Sequence, residues 1–171
     1  MRKLMFMVFM MSMAVAATAK AQQLDLRILD KIATKATSST EIGMDEATLK
    51  ATSGQLKDKK TEKTVEGLKG FFLRSYEFKK GGFKVEDIQP ILDQLKAPDW
   101  KRFLRSKEDQ ELVEIWWHMT NGVADGMLLV AAENDELTVI NAMGISKPED
   151  LAKLKDFGID PSLATPPLEK K

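Results

Sequence analysis

The chain has 171 residues, no cysteine, and 26 basic residues against 26 acidic ones. A formal net charge of zero provides no general attraction to phosphate backbones, so nucleic-acid binding is disfavoured. The lack of cysteine excludes thiol catalysis and disulfide bonds. A chain of this length can bury enough apolar surface to fold as a single domain without such bonds.

Residues 1–21 are composed like a secretory signal peptide. Arg2 and Lys3 give a positive start, and an apolar run over residues 4–17 leads to small residues that end at Ala21. This pattern predicts cleavage after Ala21 and a slightly acidic mature chain that is periplasmic or secreted. The apolar run is shorter than the roughly 20 residues of a transmembrane helix. We therefore expect no stable membrane span after cleavage, and an uncleaved anchor is the alternative.

The first half of the mature chain alternates between helical and extended patterns. Apolar residues recur at helical spacing over residues 24–36, and a polar break at residues 37–40 separates them from a weaker predicted helix over residues 45–56. The aromatic-rich residues 67–79 predict a strand, which the glycines 81 and 82 end. Helical spacing returns over residues 85–97, where Pro90 is tolerated if it lies in the first turn.

The second half reads as an antiparallel meander followed by a helix. Strands are predicted over residues 102–106, 111–120, 127–132 and 137–143, joined by turns at Asn121-Gly122 and Asn134-Asp135. The motif Ser146-Lys147-Pro148-Glu149 is typical of a capping box that opens a helix.

These elements predict an α+β fold. We expect one antiparallel sheet of about five strands with helices packed mainly on one face, in two layers. The predicted organisation is a signal peptide over residues 1–21, a single domain over residues 22–160 and a flexible tail over residues 161–171, where three prolines interrupt the chain.

The order of segments resembles an exported bacterial family known as domain of unknown function 4252. The similarity runs over most of the mature chain, from about residue 24 to residue 163. The segments that carry it are LRILDK at 26–31, GLKG at 67–70, RSYEF at 74–78, QLKAPDW at 94–100, LTVIN at 137–141, and Gly144. The resemblance implies export, a compact α/β fold, and a regulatory or envelope-maintenance role. The resemblance does not indicate any particular enzymatic activity.

A candidate partner surface lies on the predicted strand 111–120. Alternation places Val113, Ile115, Trp117 and Met119 beneath the helices, and the opposite face of a two-layer fold is left open. The neighbouring residues 127–132 are apolar at every position, so we expect an exposed apolar patch that binds a partner or ligand. Cover by the tail or by the helix 45–56 is the alternative. The patch comprises Trp116, Leu112, His118, Leu128, Val130 and Ile140.

No residue is predicted to be catalytic, to bind a metal or to hold a cofactor. His118 is the only histidine, and no acid or nucleophile lies within reach along its own strand, so we expect a structural role for it. We therefore predict a binding or regulatory module of the envelope, whose partner is an envelope protein or a small apolar ligand. The alternatives are a metal-independent periplasmic hydrolase and a structural homodimer.

Overall fold

The computed structural model describes residues 24–53, 65 and 67–146. Within these residues the fold is α+β, with one antiparallel sheet of six strands and three α-helices. The helices are α1 Arg27–Ala33, α2 Glu46–Ser53 and α3 Gln89–Gln94. The strands are β1 Ser38–Asp45, β2 Gly70–Glu77, β3 Trp100–Glu108, β4 Glu111–Thr120, β5 Val123–Glu133 and β6 Glu136–Met143. A 3₁₀ turn, Val85–Ile88, leads directly into α3.

The strands lie in the order β1-β2-β6-β5-β4-β3, and every neighbouring pair is antiparallel. Tight hairpins join β3 to β4, β4 to β5, and β5 to β6, which puts these four strands in sequence order. β6 then pairs with β2 and connects the hairpins to the N-terminal part of the chain. Among the described strands, β1 and β3 are therefore the two edges of the sheet.

One face of the sheet, which we call the α1 face, is covered by α1, the 3₁₀ turn and α3. Leu29 and Ile32 of α1 and Ile91 of α3 are at most 3% exposed, and they pack with side chains from every strand between β2 and β3. Arg74 of β2 also bonds Asp30 of α1 at 2.9 Å. The helical spacing of these apolar residues is what directs them onto the sheet.

The opposite face, the α2 face, has its own core. Leu49 of α2 is fully buried with Val65, Leu68 and Ile145, against apolar residues of β2, β4, β5 and β6. The prediction of two layers with one open sheet face is therefore wrong, because α1 and α3 cover one face and α2 covers the other. The unbroken apolar run in β5 has the same cause: its side chains enter both cores in alternation.

The sheet has six strands rather than about five, because β1 replaces most of the predicted polar break and the start of the helix 45–56. Seven of its eight residues are exposed and only Met44 is partly buried, so no alternating pattern marks it as a strand. The predicted strand 111–120 is confirmed residue for residue as β4. The predictions for residues 1–21, for the helix after Ser146 and for the tail 161–171 lie outside the described residues.

Candidate interaction surface

The side chains predicted to form an exposed patch are mostly buried. Leu112, Leu128 and Val130 are at most 2% exposed in the core beneath α1 and α3, and His118 is 5% exposed. Ile140 is fully buried and belongs to the opposite core, because it pairs with Leu129. The expectation of an exposed apolar patch is wrong, since α1 and α3 cover the face that the two-layer prediction left open.

Trp116 is partly buried, and its ring is sandwiched rather than free. It packs against the core of the α1 face. The guanidinium of Arg102, on β3, lies over the ring at 5.4 Å from its centre. The indole Nε1 donates a hydrogen bond of 2.7 Å to Glu114 Oε2. The indole thus stabilises its neighbours on the sheet, and the guanidinium of Arg102 covers one face of the ring through a cation–π contact.

Glu114 is a buried carboxylate that organises two arginines. Its side chain is 4% exposed, and its Oε1 lies 3.2 Å from Arg105 Nε and 3.8 Å from Arg102 Nη1. The two arginine side chains are 45% and 46% exposed, so part of each side chain faces solvent. A buried carboxylate requires such partners. Each arginine is consequently held near Glu114 while part of its side chain remains accessible.

This group could not be predicted from the sequence, because its members meet only through the register of β3 and β4. Arg105 pairs with Glu114, and Arg102 pairs with Trp116. One partial signal was present: Glu114 shares a strand face with Leu112 and Trp116, and a carboxylate among such side chains needs a cation from a neighbouring strand if that face is buried.

The outer strand β3 carries four exposed basic residues and one exposed phenylalanine, and we call this set the basic ridge: Lys101, Arg102, Phe103, Arg105 and Lys107. Phe103 is 54% exposed although it is aromatic, and its ring centre lies 6.3 Å from that of Trp117. The ladder to β4 is irregular between Arg102 and Leu104, so a β-bulge turns Phe103 out of the regular pairing. Glu114 offsets only part of this positive charge.

The other edge strand, β1, is acidic and regular. Its eight residues pair with β2 without a break in register, and it carries Glu41 and Asp45 but no basic residue. Glu41 Oε1 accepts a 3.0 Å hydrogen bond from the Tyr76 hydroxyl. Asp45 accepts the backbone N–H of Thr48 at the start of α2, and this bond lowers the pKa of its carboxyl group.

His118 has acidic partners that its own strand did not reveal. Its Nδ1 lies 2.6 Å from Asp125 Oδ1 on β5, and its Nε2 lies 3.3 Å from Asp99 Oδ2 before β3. Burial tends to raise the pKa of Asp125, but hydrogen bonds from Thr120 and His118 outweigh it, and the pKa lies below its usual value. Both ring nitrogens thus face carboxylates, which fits a structural link between β4, β5 and the segment before β3.

A cleft of about 720 Å³ lies at the end of the sheet where the β5–β6 turn approaches the segment after β2. Lys80 and Lys84 line it together with Glu133 and Asp135. Because the four side chains carry both signs of charge, the cleft has no clear preference for an anion or a cation. In the described parts of the chain, no three His, Asp or Glu side chains are grouped so that they could bind a metal ion.

Comparison with known proteins identifies a family to which the chain is similar. The model of the family described as "Domain of unknown function (DUF4252)" matches residues 31–154. The chain belongs to the DUF4252 family. The match begins within α1 and includes all six strands, so both edges of the sheet lie inside the DUF4252 region. No curated protein and no solved structure matches the chain. Within the described residues, this DUF4252 protein has no helix that is long and apolar enough to cross a bilayer.

Proposed function

We propose that this DUF4252 protein is an exported binding or regulatory module of the cell envelope, and that its basic ridge contacts an acidic partner. The observation that carries the proposal is the exposed Phe103 on an edge strand flanked by two arginines that Glu114 holds in place. Export is supported by the signal-like composition of residues 1–21.

The ridge combines the features that concentrate binding energy at protein interfaces. Arginine and aromatic residues are enriched among the residues whose removal costs the most affinity. Arg105 and Arg102 are already ordered by Glu114, so less side-chain entropy is lost when a partner carboxylate binds their remaining donors. Phe103 provides an apolar contact beside them. An acidic, extended protein segment fits this chemistry.

Binding is supported better than hydrolysis by the contacts of His118. A general base needs a ring nitrogen free to accept a proton from a nucleophile. Here Asp125 and Asp99 approach the two nitrogens from opposite sides. His118 is 5% exposed, and its imidazole connects β4 to β5 and to the segment before β3.

Site-specific photo-cross-linking in the producing cell tests the proposal. A photoreactive residue at position 103 should give a cross-linked product, whereas the same residue at position 123 should not. Val123 is a matched control because it is also exposed, at 64%, but lies at the β4–β5 turn. Reversing the charges of Lys101 and Lys107 to glutamate should reduce the product from position 103, since neither lysine is bonded to Glu114.

Equal products from positions 103 and 123 would contradict the proposal, as would a product from position 103 that the charge reversal leaves unchanged. Circular dichroism of each variant separates loss of binding from loss of fold. The mass of the purified exported protein also shows whether residues 1–21 have been removed.

A further inference from the structure

We propose that the acidic segment bound by the basic ridge is strand β1 of a second copy of this chain, so that copies join head to tail into one continuous sheet. This inference rests on the proposed function, because it names the partner of the same ridge. It is carried by three independent matches between the two edges of the sheet, in direction, in side-chain chemistry and in edge protection.

The first match is strand direction. Each neighbouring pair in the order β1-β2-β6-β5-β4-β3 is antiparallel, so with six strands β1 and β3 run in opposite directions. A second copy displaced sideways along the sheet, with its faces in the same sense, places its β3 antiparallel to β1 of the first. No rotation that would exchange the two faces is needed.

The second match is the chemistry of the two faces. On the α1 face, β1 presents Glu41, and β3 presents Arg102 and Arg105. On the α2 face, β1 presents Ile42, which is 38% exposed, and β3 presents Phe103, which is 54% exposed. Pairing the edges therefore brings carboxylate to guanidinium on one side and apolar to apolar on the other. Opposite charges and apolar pairs across neighbouring strands are favourable.

The third match concerns how the two edges are protected. Edge strands of monomeric proteins are commonly guarded by lysines, prolines or bulges against pairing with other chains. β3 has lysines and a bulge, whereas β1 has no lysine, no proline and no bulge in its register. Lysines on β3 repel a basic strand but attract an acidic one, so they select a partner by its charge. β1 lacks this protection and carries Glu41 and Asp45, which have the charge that the lysines attract.

The experiment uses two variants that each change an exposed side chain on one edge, and Phe103→Asp also removes the ring contact with Trp117. Ile42→Lys places a positive charge on β1, and Phe103→Asp places a negative charge on β3. Val123→Asp is the control, because it replaces an exposed apolar residue away from both edges. Analytical ultracentrifugation of the purified exported protein measures association over a range of protein and salt concentrations.

We expect the average mass of the wild-type protein and of Val123→Asp to rise with concentration, and to fall again as salt screens the charges. Ile42→Lys and Phe103→Asp alone should each associate at least about tenfold more weakly. An equimolar mixture of the two should associate again, because the intact β3 of Ile42→Lys meets the intact β1 of Phe103→Asp. Growth beyond heterodimers is also expected, since the introduced lysine and aspartate carry opposite charges on the same face.

Wild-type protein that remains monomeric at every concentration would overturn the inference. So would dimers of Phe103→Asp alone, since they would show that β1 pairs with β1. If position 103 cross-links to a different protein while the wild type stays monomeric, this inference fails and the proposed function stands. If position 103 gives no product at all, the proposed function fails.

Discussion

At the scale of single residues, Glu114 and Tyr76 show how polar groups buried in the sheet are held by partners on a neighbouring strand. Glu114 is surrounded by two arginines of β3 and the Trp116 indole. The Tyr76 hydroxyl is bonded to Glu41 across the β1–β2 pair. Because an unpaired buried polar group costs free energy, these contacts specify the register of the strands as well as stabilising them.

Tyr76 is the only tyrosine, so its ionisation can be followed without interference. Burial, and then its hydrogen bond to Glu41, raise the pKa of Tyr76 to about 12. We expect tyrosinate absorbance to appear at higher pH than in the unfolded chain, whose tyrosine has a pKa of roughly 10. Between these two values the unfolded chain loses its proton first. The folded state is therefore fully stabilised below the unfolded pKa and loses stability as pH rises through the folded one.

Glu41→Gln provides the control for this titration. The amide oxygen still accepts the tyrosine proton, but the negative charge that opposes tyrosinate is removed, so the midpoint should fall part of the way toward the ordinary value. Circular dichroism at each pH shows whether the fold is intact. A wild-type midpoint at the ordinary tyrosine value in folded protein would contradict the burial and bonding described here.

At the scale of elements, the turns were predictable where their backbone conformation demands particular residues. Asn121 and Gly122 have φ values of 52° and 79° in the β4–β5 hairpin, the left-handed conformations that Asn-Gly favours. Gly144, after β6, has a φ of 90°, and a Cβ there would lie 2.3 Å from the Gly67 carbonyl oxygen. Gly144 thus combines unusual backbone geometry with a close approach that the sequence alone does not reveal.

Replacing these two glycines by alanine should separate the two effects. Gly122→Ala should lower the free energy of unfolding by about 1–2 kcal/mol, because it adds only the strain of a left-handed alanine. Gly144→Ala should cost more than about 3 kcal/mol, because strain is joined by a clash with backbone. Urea denaturation measures both values. Equal losses would show that the contact with Gly67 can relax.

β1 could not be predicted from the sequence, and its position in the sheet explains why. Strands are recognised by alternation between a buried and an exposed face, but β1 lies at the edge and neither of its faces is deeply covered. Its serines and threonine therefore read as a loop. β4 lies between two strands with a core on each side, and its boundaries were predicted correctly.

At the scale of the whole molecule, the sheet is enclosed between two cores rather than resting on one. Ile91 belongs to the core under α1 and α3, and Leu49 belongs to the core under α2. Both side chains are fully buried. This enclosure leaves the outer strands as accessible parts of the sheet, which is why the proposed contacts lie on β1 and β3 and not on a sheet face.

Alanine substitutions in the two cores test the enclosure. Leu49→Ala and Ile91→Ala should each reduce the free energy of unfolding by about 2–5 kcal/mol. Phe103→Ala, at an exposed position of β3, should reduce it by no more than about 1.5 kcal/mol, because only the edge contact with Trp117 is lost. Denaturant unfolding of the three variants gives the comparison. A loss for Leu49→Ala as small as that for Phe103→Ala would contradict a second core under α2 and would favour a sheet covered on one face only.

The α+β class, the hairpin meander from β3 to β6, the helical segments and the family resemblance could be read from the order of residues. Each depends on periodicity or turn chemistry within a few neighbouring residues. The tertiary structure alone decided that α1 and α3 cover the face carrying Trp116, that Glu114 gathers two arginines, and that carboxylates flank His118. These features join residues distant in the chain, and their meeting depends on strand register and on which face each helix covers.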